Sequence, residues 1–232
     1  MTKKRIELMD GLRGLAVVLM VLHHFFYDLV VFLGAPMWLF SNPVFDFLHY
    51  VFAGLFIMLS GVSSRFSRSN LKRGIKVLVV AFAIQLVTTF MDMPIRFGVL
   101  HLLGFCMVLY GVTQKAWDTL PNTLMPVLCI VLTVISALCV NLIDIDADFL
   151  WMFGWFNADF FSADYFPIFP WMFIFLLGTW LGKHIKDEKL PKWFYEAKMP
   201  FFAPVGRKAL IIYIVHQPIL YGITMLLSLI IG

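Results

Sequence analysis

Arg13, His24 and Asp28 share one apolar segment, DGLRGLAVVLMVLHHFFYD at 10–28, and their spacing places them on one side of a helix. Eleven steps of about 100° lead from Arg13 to His24 and return the chain to within about 20° of the same face. At about 1.5 Å per residue the two lie about 16 Å apart along the axis, the arginine near the headgroups and the histidine near mid-membrane. Asp28 falls one turn beyond His24, within reach of a carboxylate–imidazole hydrogen bond. A fixed cation, an interior imidazole and a carboxylate to orient it are what a general base requires. An ionisable residue at the centre of a membrane helix costs about 2.5–3.5 kcal/mol, so a stripe of them points to function. His23, rotated by about 100°, faces a neighbouring helix or lipid on a straight helix, and a small rotation exchanges it with His24. The competing reading is polar glue, in which His24 and Asp28 satisfy each other inside a bundle.

Other polar residues carry paired readings too. His101, shortly after Arg96, can polarise an acceptor or act as an alternative base; packing against a backbone carbonyl is the plainer account. His216 precedes Pro218, whose missing N–H leaves a carbonyl without its donor. That makes either a binding notch or a kink satisfied by His216 or Gln217. Ser63–Lys76 gathers Arg65, Arg68, Lys72, Arg73 and Lys76, and guanidinium forks bind phosphate oxygens two at a time. Ordinary membrane topology also explains such a basic loop. Asp46 can orient an acceptor or simply be solvated. In YFPIFPW, Pro167 and Pro170 favour a helix entry, while Tyr165 and Trp171 read as interface anchors with sugar stacking as a supplement.

The elements that must position these groups are membrane helices. With 61% hydrophobic and 14% charged residues, water cannot solvate the folded surface of this chain. Apolar stretches near the ~20 residues that cross a bilayer run over 12–33, 45–63, 74–91, 97–113, 121–142, 166–183 and 208–231. The expected fold is therefore an all-α, polytopic transmembrane bundle of about seven spans, forming one domain over 1–232. Lys3, Lys4, Arg5, the 65–76 cluster, Lys115 and the basic residues from Lys183 to Lys208 fall before the first span or in alternate loops. This distribution puts the N-terminus in the cytoplasm and the C-terminus outside, with Arg96 the exception. The opposite side collects Asp144, Asp146, Asp148, Asp159 and Asp164 in a 143–165 loop, where an extra interfacial turn fits around Phe149–Phe156.

The first apolar stretch exceeds the usual 7–15 residues of a signal peptide and no A-x-A-like site follows, so it is expected to stay in the mature protein. Cys106, Cys129 and Cys139 lack CxxC spacing, so neither a disulfide framework nor a metal site is expected. The net charge of +4 reflects basic loops meeting anionic lipid; no nucleic-acid module is read. Glycines at 54, 61, 98, 104, 178 and 182 allow helices to approach closely, within one chain or in a homodimer.

The runs LMDGLRGLAVVLMVLHHFFYDL at 8–29, FIMLSGVSSRFSRSNLKRG at 56–74, FGVLHLLG at 97–104, YFPIFPWMFIFLLGTWLG at 165–182 and LIIYIVHQPIL at 210–220 occur in order along nearly the whole chain. Together they resemble the heparan-alpha-glucosaminide N-acetyltransferase catalytic-domain family of bacterial membrane proteins. Arg13 and His24, with ten residues between, also resemble the R-x10-H signature of the wider transmembrane acyltransferase superfamily. The resemblance implies acetyl-CoA or another acyl-CoA as donor from the cytoplasm. It implies a hydroxyl or amine acceptor, often on a sugar or glycan, from the other side, with Arg13 and His24 serving acyl transfer. The 34–45 segment has no histidine to match that of the animal lysosomal enzyme's first luminal loop. The 232 residues also lack that enzyme's luminal domain and extra spans, so heparan sulfate itself is not the expected acceptor.

Three function classes follow. The first is a membrane acyltransferase: His24, steadied by Asp28, deprotonates the acceptor for direct attack on the thioester, or forms an acyl-histidine. Arg13 and the basic loop hold the donor's phosphates, His101 is the second choice of base, and Asp46, Arg96, Trp171 and His216 contact the acceptor. The second is a small proton-coupled transporter with His24, Asp28, His101 and His216 as a relay, against which stands the lack of an internal repeat. The third is a noncatalytic membrane scaffold.

Overall fold

The computed structural model describes residues 5–231; Lys3 and Lys4, counted above among the cytoplasmic basic residues, lie outside the described residues. Those residues form nine α-helices and no strand. Seven are long and apolar enough to span a bilayer: α1 (Glu7–Leu33), α2 (Pro43–Ser64), α3 (Asn70–Phe90), α4 (Val99–Thr119), α5 (Leu124–Leu142), α6 (Ile168–Lys186) and α9 (Ala209–Ile231). Two short helices, α7 (Lys192–Glu196) and α8 (Ala203–Arg207), precede the last span. The all-α, seven-span expectation holds, and the protein is a multi-pass membrane protein.

The spans outrun their apolar stretches at polar ends. α1 begins at Glu7 rather than near 12, because Glu7 and Asp10 suit a helix N-terminus. It stops where Gly34 adopts φ 65°, a left-handed cap whose N–H reaches the Leu29 carbonyl. α3 starts at Asn70, where Ser69 accepts the Lys72 N–H. The proline entry expected at α6 is present: Phe169 departs from helical geometry, and Phe169–Pro170 is a cis peptide.

The chain divides into two compact units. The first comprises 1–56 and 190–232, and in it α1 packs on α8 and α9. A side chain at Gly14 would collide with the Phe202 carbonyl, and one at Gly206 with the Asp10 carbonyl, so α1 and α8 meet backbone to backbone. The second unit, 57–189, pairs α3 with α4 and α5 with α6. Within it the end of α2 meets α6 in the same manner, Gly61 against the Phe175 carbonyl and Gly178 against the Met58 carbonyl.

In the second unit the acidic 143–165 loop makes turns at 148–149 and 151–154, where an interfacial turn was expected. Its final residues tie down α4: Asp164 Oδ2 accepts the Val99 N–H at 3.1 Å, and Ser162 bonds both the N–H and the carbonyl of Arg96. The aromatic anchors need correcting. Trp171 is 9% exposed, its ring packed on Phe166 at 5.3 Å, and the Tyr165 hydroxyl donates to the Trp151 carbonyl. Both serve the packing of loop on helix, Trp171 through its ring and Tyr165 through its hydroxyl.

Candidate active site

In the first unit, α1 carries polar groups at two levels. At its first turns the Asp10 carboxylate is 4% exposed and collects three guanidinium groups. Arg13 Nη1 and Arg5 Nη2 each donate to Oδ1 at 3.1 Å, Arg5 Nε donates to Oδ2, and Arg207 Nε lies 3.7 Å away. These hydrogen bonds hold the Arg5 guanidinium above its ordinary pKa. A buried carboxylate requires such partners, and three cations on one anion leave positive charge over. Arg13 therefore sits where expected, at the polar end of the helix, but it is positioned by Asp10, which sequence reasoning passed over. The signal was there: Asp10 precedes Arg13 by three residues, the spacing at which helical side chains meet.

Deeper along the same helix, four imidazoles form a row. His49 of α2 lies 4.5 Å from His23, His23 lies 6.2 Å from His24, and His24 lies 5.0 Å from His216 of α9, centroid to centroid. His23 faces a neighbouring helix, as expected, and His24 faces α9. His49 carries no spacing signal of its own in the sequence: it lies just beyond the 34–45 segment, inside the apolar 45–63 stretch. Asp46, exposed, lies one turn before it.

Asp28 is fully buried and does not make the bond its spacing promised. Its Oδ1 accepts from Gln217 Nε2 of α9 at 2.8 Å, and among the described residues no hydrogen bond joins it to His24. Spacing of i,i+4 permits contact without enforcing it, and here the facing helix supplies a closer donor. Asp28 Oδ2 and Gln217 Oε1 are buried acceptors with no hydrogen-bond partner among the described residues. The kink account of His216 and Gln217 also needs correcting. Pro218 deprives the Ile214 carbonyl of its donor, yet His216 Nδ1 bonds the Tyr213 carbonyl at 2.7 Å and Gln217 turns to Asp28.

The other candidates belong to the second unit. Arg65, expected to face phosphates, is instead a clamp. Nη1 and Nη2 grip Asp118 at 2.9 and 2.6 Å, Nε donates to the Thr179 carbonyl at 2.9 Å, and the cation lies 5.3 Å from the Tyr110 ring centroid. A nearby carboxylate with matching fork geometry occupies both Nη donors of this arginine. Arg68 and Lys72 are exposed and Arg73 half-buried. His101 is 3% exposed, enclosed by Phe97 at 6.0 Å and Phe82 at 5.0 Å, with Nε2 lacking a hydrogen-bond partner among the described residues. Arg96 is exposed, with its cation 5.9 Å from the Phe160 ring.

Comparison with known proteins adds one decisive match. The sequence model of the family described as Heparan-alpha-glucosaminide N-acetyltransferase, catalytic, matches residues 5–218. The chain belongs to this family. No curated protein matches, and neither does any solved structure. Membership makes the protein a membrane acyltransferase of the heparan-alpha-glucosaminide N-acetyltransferase kind. The matched range takes in Arg13, the four histidines, Asp28 and Gln217.

Proposed function

We propose that this protein moves an acetyl or other acyl group from cytoplasmic acyl-CoA to a hydroxyl or amine of a sugar or glycan presented from the far side of a bacterial cell membrane. In this reading the chain acts as one integral-membrane domain, with its N-terminus in the cytoplasm and its C-terminus outside. The observation that carries the reading is the polar core of the first unit. His24 stands one helical turn from a fully buried carboxylate, and two buried acceptor atoms of the same unit, Asp28 Oδ2 and Gln217 Oε1, make no hydrogen bond among the described residues and suit the O–H or N–H groups of an acceptor.

His24 takes the proton from the acceptor as its oxygen or nitrogen bonds the acyl carbon. The carbon–sulfur bond then breaks, and the departing thiolate takes the proton back. Asp28 and Gln217 hold the acceptor through its donors, a recognition that rejects molecules lacking them. Arg13, fixed by Asp10, meets the donor's phosphates together with Arg207, a role supported by the excess of positive charge there. Asp46 lines the acceptor's approach; Arg68, Lys72, Arg73 and Arg96 belong to the second unit and enter this reading only as sequence-based candidates for phosphate and acceptor contact. His101 remains a second candidate base. Arg65 and Trp171 drop out of the binding set because each is committed to its protein neighbours.

The test is acetyl-CoA binding and turnover by the detergent-purified protein, with Arg13→Ala and His24→Ala. The expected pattern is weakened donor binding in the first variant, and retained binding with lost turnover in the second. A folded wild type that neither binds nor turns over acetyl-CoA defeats the reading. The imidazole row favours one rival, a proton-coupled transporter, which predicts proton flux in liposomes without acyl-CoA consumption.

A further inference from the structure

Four histidines are more than one proton abstraction needs, and one of them has its tautomer fixed by its own helix. His216 is 9% exposed, and its Nδ1 lies 2.7 Å from the Tyr213 carbonyl oxygen. A carbonyl only accepts, so Nδ1 carries the hydrogen, and the lone pair of the neutral ring is on Nε2. The His24 ring lies 5.0 Å away, centroid to centroid, with the two planes tilted by 58°. An imidazole whose Nδ1–H is anchored and whose Nε2 is basic is arranged to receive a proton and to stabilise the cation that results.

We infer that His216 is the relay partner of His24 in acyl transfer, receiving on Nε2 the proton that His24 releases as it deprotonates the acceptor. The inference rests on the acyltransferase reading above. In the forward step the acceptor's O–H or N–H bond breaks, and its proton goes to one nitrogen of His24. No hydrogen bond joins the two rings among the described residues, so the proton on the other nitrogen of His24 passes to His216 Nε2 as the His24 ring turns towards it, and the acceptor atom bonds the acyl carbon. The resulting imidazolium charge rests on His216, where the Tyr213 carbonyl dipole faces its Nδ1–H. When the carbon–sulfur bond breaks, the proton returns through His24 to the thiolate. The products are the acylated acceptor and the free thiol, with no proton gained or lost.

His216→Asn separates the relay from the helix contact, because the asparagine amide nitrogen can replace Nδ1 as donor to Tyr213 but supplies no base. The assay is acetyl-CoA consumption with methyl α-D-glucosaminide as acceptor, using the whole purified protein. For His216→Asn, kcat should fall by about 10²-fold or more with KM little changed. His216→Ala, judged folded by its melting temperature, should recover activity on addition of free imidazole. Nitrogen-15 NMR of histidine-labelled protein should find His216 protonated on Nδ1 and bare on Nε2. Wild-type kcat in His216→Asn, failure of imidazole to restore His216→Ala, or an Nε2–H tautomer each overturns the relay while leaving acyl transfer intact. A wild type inert towards acetyl-CoA overturns both readings, a result recognisable before any variant is made.

Discussion

Replacing Asp10 by asparagine keeps the shape of the side chain and removes the negative charge with which Arg5, Arg13 and Arg207 pair. The loss is dominated by Arg13, whose side chain is 17% exposed against 6% for the carboxylate. Deleting one partner of a buried ion pair costs about 3–5 kcal/mol, because the other charge stays desolvated. Arg13 keeps some access to water, which places the expected cost at the lower end, about 3 kcal/mol. The Arg5 and Arg207 side chains are 62% and 50% exposed, and pairs of that kind are worth about 0–1 kcal/mol. In a chain of this length 1 kcal/mol moves Tm by about 2–4 °C, so Asp10→Asn should melt about 6–12 °C below wild type. Arg5→Ala should shift Tm by about 4 °C at most. Tryptophan-fluorescence melts of the three proteins in one detergent decide the matter. An Asp10→Asn protein that melts with wild type, or an Arg5→Ala protein as damaged as Asp10→Asn, would refute the claim that the carboxylate exists to hold Arg13.

Gly178→Ala puts a methyl group into the Met58 carbonyl and must push α2 off α6; overpacking of this kind costs about 1–3 kcal/mol, readable as a lower Tm. Arg65→Ala leaves Asp118 without its fork and should destabilise the second unit, whereas Asp118→Asn in the same melts should cost less, because the amide oxygen can still accept from the guanidinium. Tyr165→Phe removes the hydroxyl bonded to the Trp151 carbonyl and should cost about 1 kcal/mol at neutral pH. Burial raises the Tyr165 pKa above the unfolded value of about 10, so its contribution is complete below that pH and is lost as the pH rises further. The variant's stability should therefore fall less steeply than wild type above about pH 10.

The spans were legible because about twenty apolar residues in a row have few fates other than a membrane helix, and α2 and α5 fall close to their expected limits. Prolines at 167 and 170 likewise announced the irregular entry of α6. Partner choice was harder to read. Gln217 is separated from Asp28 by 189 positions, and nothing in helical periodicity ranks it above the histidine one turn away. Arg65 looked like a phosphate ligand because a lone sequence shows the fork and hides the carboxylate on another helix that fills it. Asp10 went unread for the opposite reason. A carboxylate in a first turn already has a routine explanation in the helix dipole, which masks its part in an ion-pair cluster.

The union of α1 with α8 and α9 also sets an order on biosynthesis. Residues 57–189 are continuous, so their unit can assemble as soon as they have entered the bilayer. Helix α1 must wait until α9 has been made for Gln217 and His216. Until then Asp28, fully buried in the finished protein, is a carboxylate in a newly inserted helix without the amide that will hold it. A ribosome stalled before α9 would thus leave a polar flaw exposed in the membrane, of the kind that quality-control proteases can sense. The hydrogen bond that closes the first unit is also what its unfinished copies lack.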